Sequence, residues 1–157
     1  MADIDRPLNK RGRRDSPRMG AALAQRFSLL RFYVSPARRA LLTFDGLCQG
    51  WTGLGDPHCC VDEALYTFDT DDLLEWLASR DEPADRIALI GHNPALTDLV
   101  NFLVGDDTLN NVPTAGWVEL SLPLDSWSGV TAIEGEASLD FTLFPRELPS
   151  DTGTGTA

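Results

Sequence analysis

The sequence predicts an α/β layered fold with a mostly parallel sheet. Three observations carry that prediction. Two short β-prone runs, Phe32-Tyr33-Val34 and Ile87–Ile90, each lead into a turn and then a helix-like segment. Ile87–Ile90 is apolar at every position, as expected of a strand covered on both faces. Strands and helices then alternate along the chain, the order that builds a parallel sheet through crossover helices. A length of 157 residues suits a single domain.

Taken in order, residues 9–27 read as a helix with Asn9 as a possible N-cap, although Pro17 interrupts the pattern. Local rules equally allow a start at Pro17 with Ser16 as the cap. In either case Met19, Leu23 and Phe27 share one face. Phe32-Tyr33-Val34 forms a short strand ended by Ser35-Pro36, and Ala37 to about Leu47 is helical. Residues 48–60 are rich in Gly and Cys and read as loop, with a brief strand beginning near Cys60. Thr70 is expected to cap a helix from Asp71 to Ser79, with Leu73, Leu74, Trp76 and Leu77 on its buried side. After Ile87–Ile90, Pro94 occupies the expected N1 position of a helix carrying Leu96, Leu99, Val100 and Leu103. Residues 117–122 and 139–144 alternate as strands do. Residues 149–157 have no apolar side chain except the terminal alanine and proline, and read as a disordered tail behind a domain of residues 1–148.

Composition excludes several classes. No apolar run approaches the ~20 residues needed to cross a bilayer, so no membrane association is expected. The first residues, MADIDRPLNKRGRR, lack the apolar core of a secretory signal. Three cysteines, an odd number, argue against a disulfide scaffold and for a reducing, cytoplasmic setting. The net charge is −11, which speaks against nucleic-acid binding. Ten of the 13 basic residues nevertheless fall within the first 40 positions. They fit either a solvated helix face or a seat for a small anion.

Ligands of open α/β sheets bind beyond the carboxyl ends of the strands. His92 lies at such an end, one residue past its strand, where the next helix turns its N–H groups and positive dipole end to the same spot. Phe32-Tyr33-Val34 has the same form and leads to Arg38 and Arg39. Arginine offers a planar fork of donors that fits phosphate oxygens. Two strand ends of one parallel sheet open on the same edge, so Arg39 and His92 can converge. Locally, each also reads as an ordinary turn or surface residue. His58-Cys59-Cys60 does not fit a cysteine phosphatase, because no arginine stands six residues beyond either cysteine. Nor does it fit the C-x₂₋₄-C spacing of zinc sites, so a structural role is expected and no metal or other cofactor. Asp69, Asp71 and Asp72 read as cap and solvated face.

Six blocks in order, "DRPLNKRGRRDSPRMGAAL", "VSPARRALLT", "VDEALYTFDTDDLLEWL", "LIGHNPALTDLV", "VPTAGWVEL" and "LFPREL", resemble SixA-type phosphohistidine phosphatases of the histidine phosphatase (phosphoglycerate-mutase-like) superfamily. The resemblance implies a three-layer α/β/α sandwich with a phosphate pocket at the strand ends. It also implies a histidine that attacks phosphorus, then hydrolysis by water, without a cofactor. By motif, Arg39 matches the arginine of S-x-x-x-R, opened by Ser35 and closed by Thr43, and His92 matches the second histidine in G-H-N. Arg6 falls in a segment that the resemblance puts near the pocket mouth. Thr114 is a candidate to present a hydroxyl or N–H to phosphate. The expected substrate is a phosphorylated protein of the histidine phosphotransfer type, or else a small phosphoester. The family's Arg-His-Gly or Arg-His-Ala strand, roughly 20 residues ahead of "DRPL", has no match here. The first strand is therefore expected to be missing from this chain, and with it the nucleophile. Two expectations follow. Either these residues belong to a longer enzyme, or the chain is a catalytically inactive phosphate- or partner-binding pseudophosphatase.

Overall fold

Phe32, Tyr33 and Val34 form a strand, β1, buried at all three positions. In the computed structural model, which describes residues 1–81 and 85–149, β1 is the middle of a parallel sheet. It pairs on one side with β2 (Cys59–Val61) and on the other with β3 (Ala88–Ile90). The registers are Tyr33 opposite Cys60 and Tyr33 opposite Leu89, so the three strands end at one edge. Side chains alternate across the sheet with period two. Phe32 and Val34 enter a core with Met19, Leu23, Phe44 and Leu47, while Tyr33 enters another with Leu73, Trp76, Leu99 and Leu103.

Helices supply those two cores. Helices α1 (Lys10–Arg26) and α2 (Arg38–Gly50) cover the Phe32 face, and α3 (Thr70–Ala78) and α4 (Ala95–Val104) cover the Tyr33 face. The result is the α/β/α layering expected from the sequence. β4 (Trp117–Ser121) and β5 (Ser138–Leu143) pair antiparallel in a second sheet of their own, with an irregularity between Glu119 and Leu120.

Three local expectations are corrected. Helix α1 starts at Lys10, and the Asn9 side chain accepts from the Gly12 N–H at 2.8 Å, so the alternative start at Pro17 is wrong. Pro17 lies inside the helix, and the preceding Ser16 hydroxyl donates back to the Gly12 carbonyl at 2.7 Å. The cap of α3 is Asp69 rather than Thr70, because the Asp69 carboxylate reaches the Asp71 N–H at 2.9 Å and Thr70 is already helical. Pro94 is the residue before α4 rather than its first turn. The tail expected at 149–157 lies, from residue 150 on, outside the described residues.

An interior proline costs roughly 3 kcal/mol, and tertiary packing must offset it. That packing is a close crossing of α1 and α2 on small residues. A Cβ on Gly20 would stand 2.2 Å from the Leu47 carbonyl oxygen, one on Gly50 2.0 Å from the Pro17 carbonyl oxygen, and one on Gly46 2.4 Å from Ser16 Cβ. Gly20→Ala should therefore destabilise the protein by about 2 kcal/mol, although alanine is the better helix former. Urea unfolding measures this, and an unchanged or raised midpoint would remove the close-crossing account.

Candidate active site

β1 ends at Val34, and its continuation Ser35 donates its N–H to the Ile90 carbonyl at 3.0 Å. This bond carries the pairing one residue past β1, onto the last residue of β3, and brings Ser35 beside the Gly91-His92-Asn93 turn. The buried His92 ring then meets the buried Ser35 hydroxyl, with Nε2 and Oγ 2.7 Å apart. Ser35 Oγ also accepts the Ala37 N–H at 3.2 Å at the start of α2. Tyr66 and Phe68 pack on the imidazole, with ring centroids 5.4 and 5.7 Å away. Asn93 fixes the other side of the turn. Its side-chain oxygen accepts from the Thr97 hydroxyl at 2.8 Å, and its amide donates to the Val112 carbonyl at 2.7 Å.

Arg39, in the first turn of α2, lines the same pocket as His92, a cleft of about 340 Å³ at the carboxyl ends of β1 and β3. Arg6 and Thr114 lie on its exposed rim. All four residues singled out in the sequence thus border one cleft. Ala115, next to Thr114, adopts a left-handed backbone at φ 61°, uncommon for a residue with a Cβ. His58 is elsewhere. It precedes β2, at the sheet edge opposite the cleft, as the parallel pairing requires. The three cysteines are free thiols, and burial raises those of Cys48 and Cys59 above the usual range.

Two participants were not read from the sequence. The Asp3 carboxylate accepts from the Tyr66 hydroxyl at 2.5 Å and from Arg39 at 3.1 Å, while its other oxygen takes Arg6 at 2.7 Å. Arg39 also donates to the Asp3 backbone carbonyl at 2.9 Å. An oxyanion therefore already rests on the guanidinium. The Tyr66 hydroxyl, with Arg6 and Arg39, holds the Asp3 carboxyl well below its ordinary range, and Asp3 in turn raises the Tyr66 phenol. Tyr66 falls inside one of the blocks that resemble the family, and Asp3 stands two residues ahead of the first block. The missing signal was spatial, since 63 positions separate them.

His92 is lowered to about 4, first by burial and then by the Arg39 charge, with Asp3 acting the other way. The ring is therefore neutral at pH 7 in the free protein, and its bond with Ser35 depends on which nitrogen carries the proton.

No protein-family model matches the chain, and no curated protein matches it. Solved structures do. A protein from Nakamurella multipartitia, provisionally named phosphohistidine phosphatase SixA, superposes with a TM-score of 0.70 and 20% identity, over 92% of this chain and 88% of that one. One from Agrobacterium tumefaciens with the same provisional name gives 0.71 and 21%, over 92% and 87%. The protein histidine phosphatase SixA complexed with tungstate gives 0.71 and 22%, over 92% and 88%. The chain has the fold of SixA-type histidine phosphatases.

The lowered His92 value fixes a sign. An unfolded chain protonates this imidazole near its ordinary value of 6.5, before the folded protein does near 4. The His92 contribution to stability is therefore full above pH 6.5 and is lost as pH falls from 6.5 toward 4. Imidazole shifts followed by NMR should stay flat from neutral pH down to about 5.5. A His92 midpoint at or above 6.5 would refute the burial account.

Proposed function

We propose that this chain carries the phosphate pocket of a SixA-type phosphatase acting on protein phosphohistidine. One observation carries the reading: Arg39 and His92 border one cleft at the strand ends, and the arginine there already holds an oxyanion, the Asp3 carboxylate. Phosphoryl transfer asks for fixed positive charge around the equatorial oxygens and a nucleophile in line with the leaving group. Arg39 supplies the charge. An arriving phosphate dianion displaces Asp3, draws a proton onto His92 and gains a second cationic donor. In the reaction, a histidine nitrogen attacks phosphorus and the substrate's N–P bond breaks. Water then attacks the phosphoryl-enzyme, frees inorganic phosphate and returns the imidazole.

That nucleophile is neither of the two histidines of residues 1–157. His92 is engaged with Ser35 beside Arg39, and His58 is at the far edge of the sheet. The phosphohistidine intermediate accordingly forms on a histidine outside these residues. The same observation favours a second reading, a pocket that binds phosphate or a phosphorylated partner without turnover. A protein substrate suits the cleft because Arg6, Asn93 and Thr114 leave its rim exposed. A small phosphoester is the other substrate class this pocket would take.

Calorimetric titration with tungstate, a tetrahedral oxyanion like phosphate, tests the pocket. Arg39→Ala should weaken binding by about tenfold or more, the usual worth of a hydrogen bond to a charged group. Equal binding by the variant would sink the reading. Asp3→Asn removes the resident carboxylate and should tighten binding severalfold, whereas weaker binding would make Asp3 a positioner of Arg39 instead. With a phosphohistidine protein as substrate, residues 1–157 should bind without turnover. Turnover that disappears in His92→Ala would make His92 the nucleophile and overturn that assignment.

A further inference from the structure

Residues 1–40 hold ten of the 13 basic residues, while residues 41–157 hold three against 21 acidic ones. Much of that positive charge gathers at two helix starts. Lys10, Arg11 and Arg13 are exposed in the first turn of α1, and the residues facing the core there are Gly12, Asp15 and Ser16. Arg38 opens α2 and is exposed as well. Both helix starts border the His92 cleft, because Asn9, the cap of α1, and Arg39 line it. Among the described residues none of these four side chains has an ion pair, hydrogen bond or ring contact. Helix stability does not account for them. The start of a helix is the positive end of its dipole and favours acids. α3 and α4 follow that rule, with Asp71 and Asp72 in one first turn and Asp98 in the other. α1 and α2 have no acid there and carry cations instead.

The phosphate pocket does not account for them either. None of the four lines the cleft, so an ion seated on Arg39 leaves them untouched. A ligand that meets them must reach from the cleft over the starts of the helices. On the His92 side of the cleft stands an apolar contact point. Phe68 packs on the imidazole with ring centroids 5.7 Å apart, yet 48% of it is exposed. Aromatic and arginine side chains are the ones that protein interfaces favour. Asp5, beside Arg6, and Asp69, beside Phe68, are exposed too, so the cationic part of this surface is confined to the starts of α1 and α2. A nucleic acid would also meet cations and a ring, but the acids of residues 41–157 repel a polyanion that runs past so small a patch.

We propose that the starts of α1 and α2, with Phe68 across the cleft, form a docking surface for an acidic protein. The partner sets carboxylates against Lys10, Arg11, Arg13 and Arg38, and an apolar side chain against Phe68. Complementary charge of this kind speeds encounter and fixes orientation. That the partner also presents a phosphoryl group to Arg39 rests on the phosphatase reading. The surface itself follows from the unpaired cations and the exposed ring.

The test uses two fluorescent peptides of glutamate and leucine, identical except that glutamine replaces every glutamate in the second. Neither carries phosphate. Anisotropy at low salt should show the 157-residue protein binding the glutamate peptide about tenfold more tightly, a preference that fades as salt rises. The variant Lys10→Gln/Arg11→Gln/Arg13→Gln should lose the preference. It should melt no lower than the parent, because removing cations from a helix start relieves their conflict with the dipole. Its affinity for tungstate at physiological salt should stay within about threefold of the parent's, since the Debye length there is about 8 Å. Phe68→Ser should weaken both peptides about threefold, and unchanged binding would remove the apolar half of the surface. No preference in the parent, or an equal preference in the triple variant, would overturn the docking surface. A triple variant that melts well below the parent would do the same, by giving the cations a structural role. So would tighter binding of a single-stranded oligonucleotide than of the glutamate peptide, or self-association that the triple variant abolishes, which would make a second copy the occupant. One phosphohistidine added to the glutamate peptide should tighten it further. If it does not, the link to the phosphoryl group falls and the docking surface stands.

Discussion

The site depends on β1 being paired on both sides. With β2 on one flank and β3 on the other, in parallel register, the strand ends coincide and the turns after them share one edge. The bond from the Ser35 N–H to the Ile90 carbonyl carries this pairing past the end of β1 and sets Ser35 against His92. Helices α2 and α4 begin at that edge, so their N-terminal N–H groups and dipole ends face the same cleft. A shift of one residue in β1 would turn Phe32 and Val34 toward the wrong core and take Ser35 out of reach. Register, core and site are one constraint.

Charge in the cleft is balanced against burial. Arg39 is the fixed cation, and burial of the ring, followed by the nearness of that charge, keeps His92 neutral. Asp3 offsets part of that charge while Tyr66 and Arg6 hold the carboxylate in place. The arrangement resembles a seat already taken by an internal anion. Exchange of that carboxylate for a dianion would change the charge next to His92 by about one unit, so the proposed phosphate site would couple whatever sits on Arg39 to the protonation of the histidine.

The fold was largely legible in the residues. Periodicity and apolar content placed the four α-helices and five strands found among the described residues to within a few residues, because amphipathic patterning is a local property of the chain. Errors gathered at helix ends. Asp69 and Thr70 are both good caps, and the choice between them turned on which side chain could reach an open N–H. Pro17 defeated local rules because α2 presents Gly46 and Gly50 to α1, a compensation that no short window contains. Arg39 and His92 could be paired from the general rule for strand ends. Asp3 and Tyr66 could not, since neither stands at a strand end.

By itself, then, the sequence determined the alternation of strand and helix, the two strand-end turns and the side chains that they carry. These are consequences of local stereochemistry and of which faces are apolar. The tertiary structure decided what is long-range: the order β2-β1-β3, the ionisation of His92, the carboxylate on Arg39 and the separation of β4 and β5 from the main sheet. Strand order, desolvation and Coulomb energy depend on distances between residues far apart in the chain, and those distances exist only once the layers have packed.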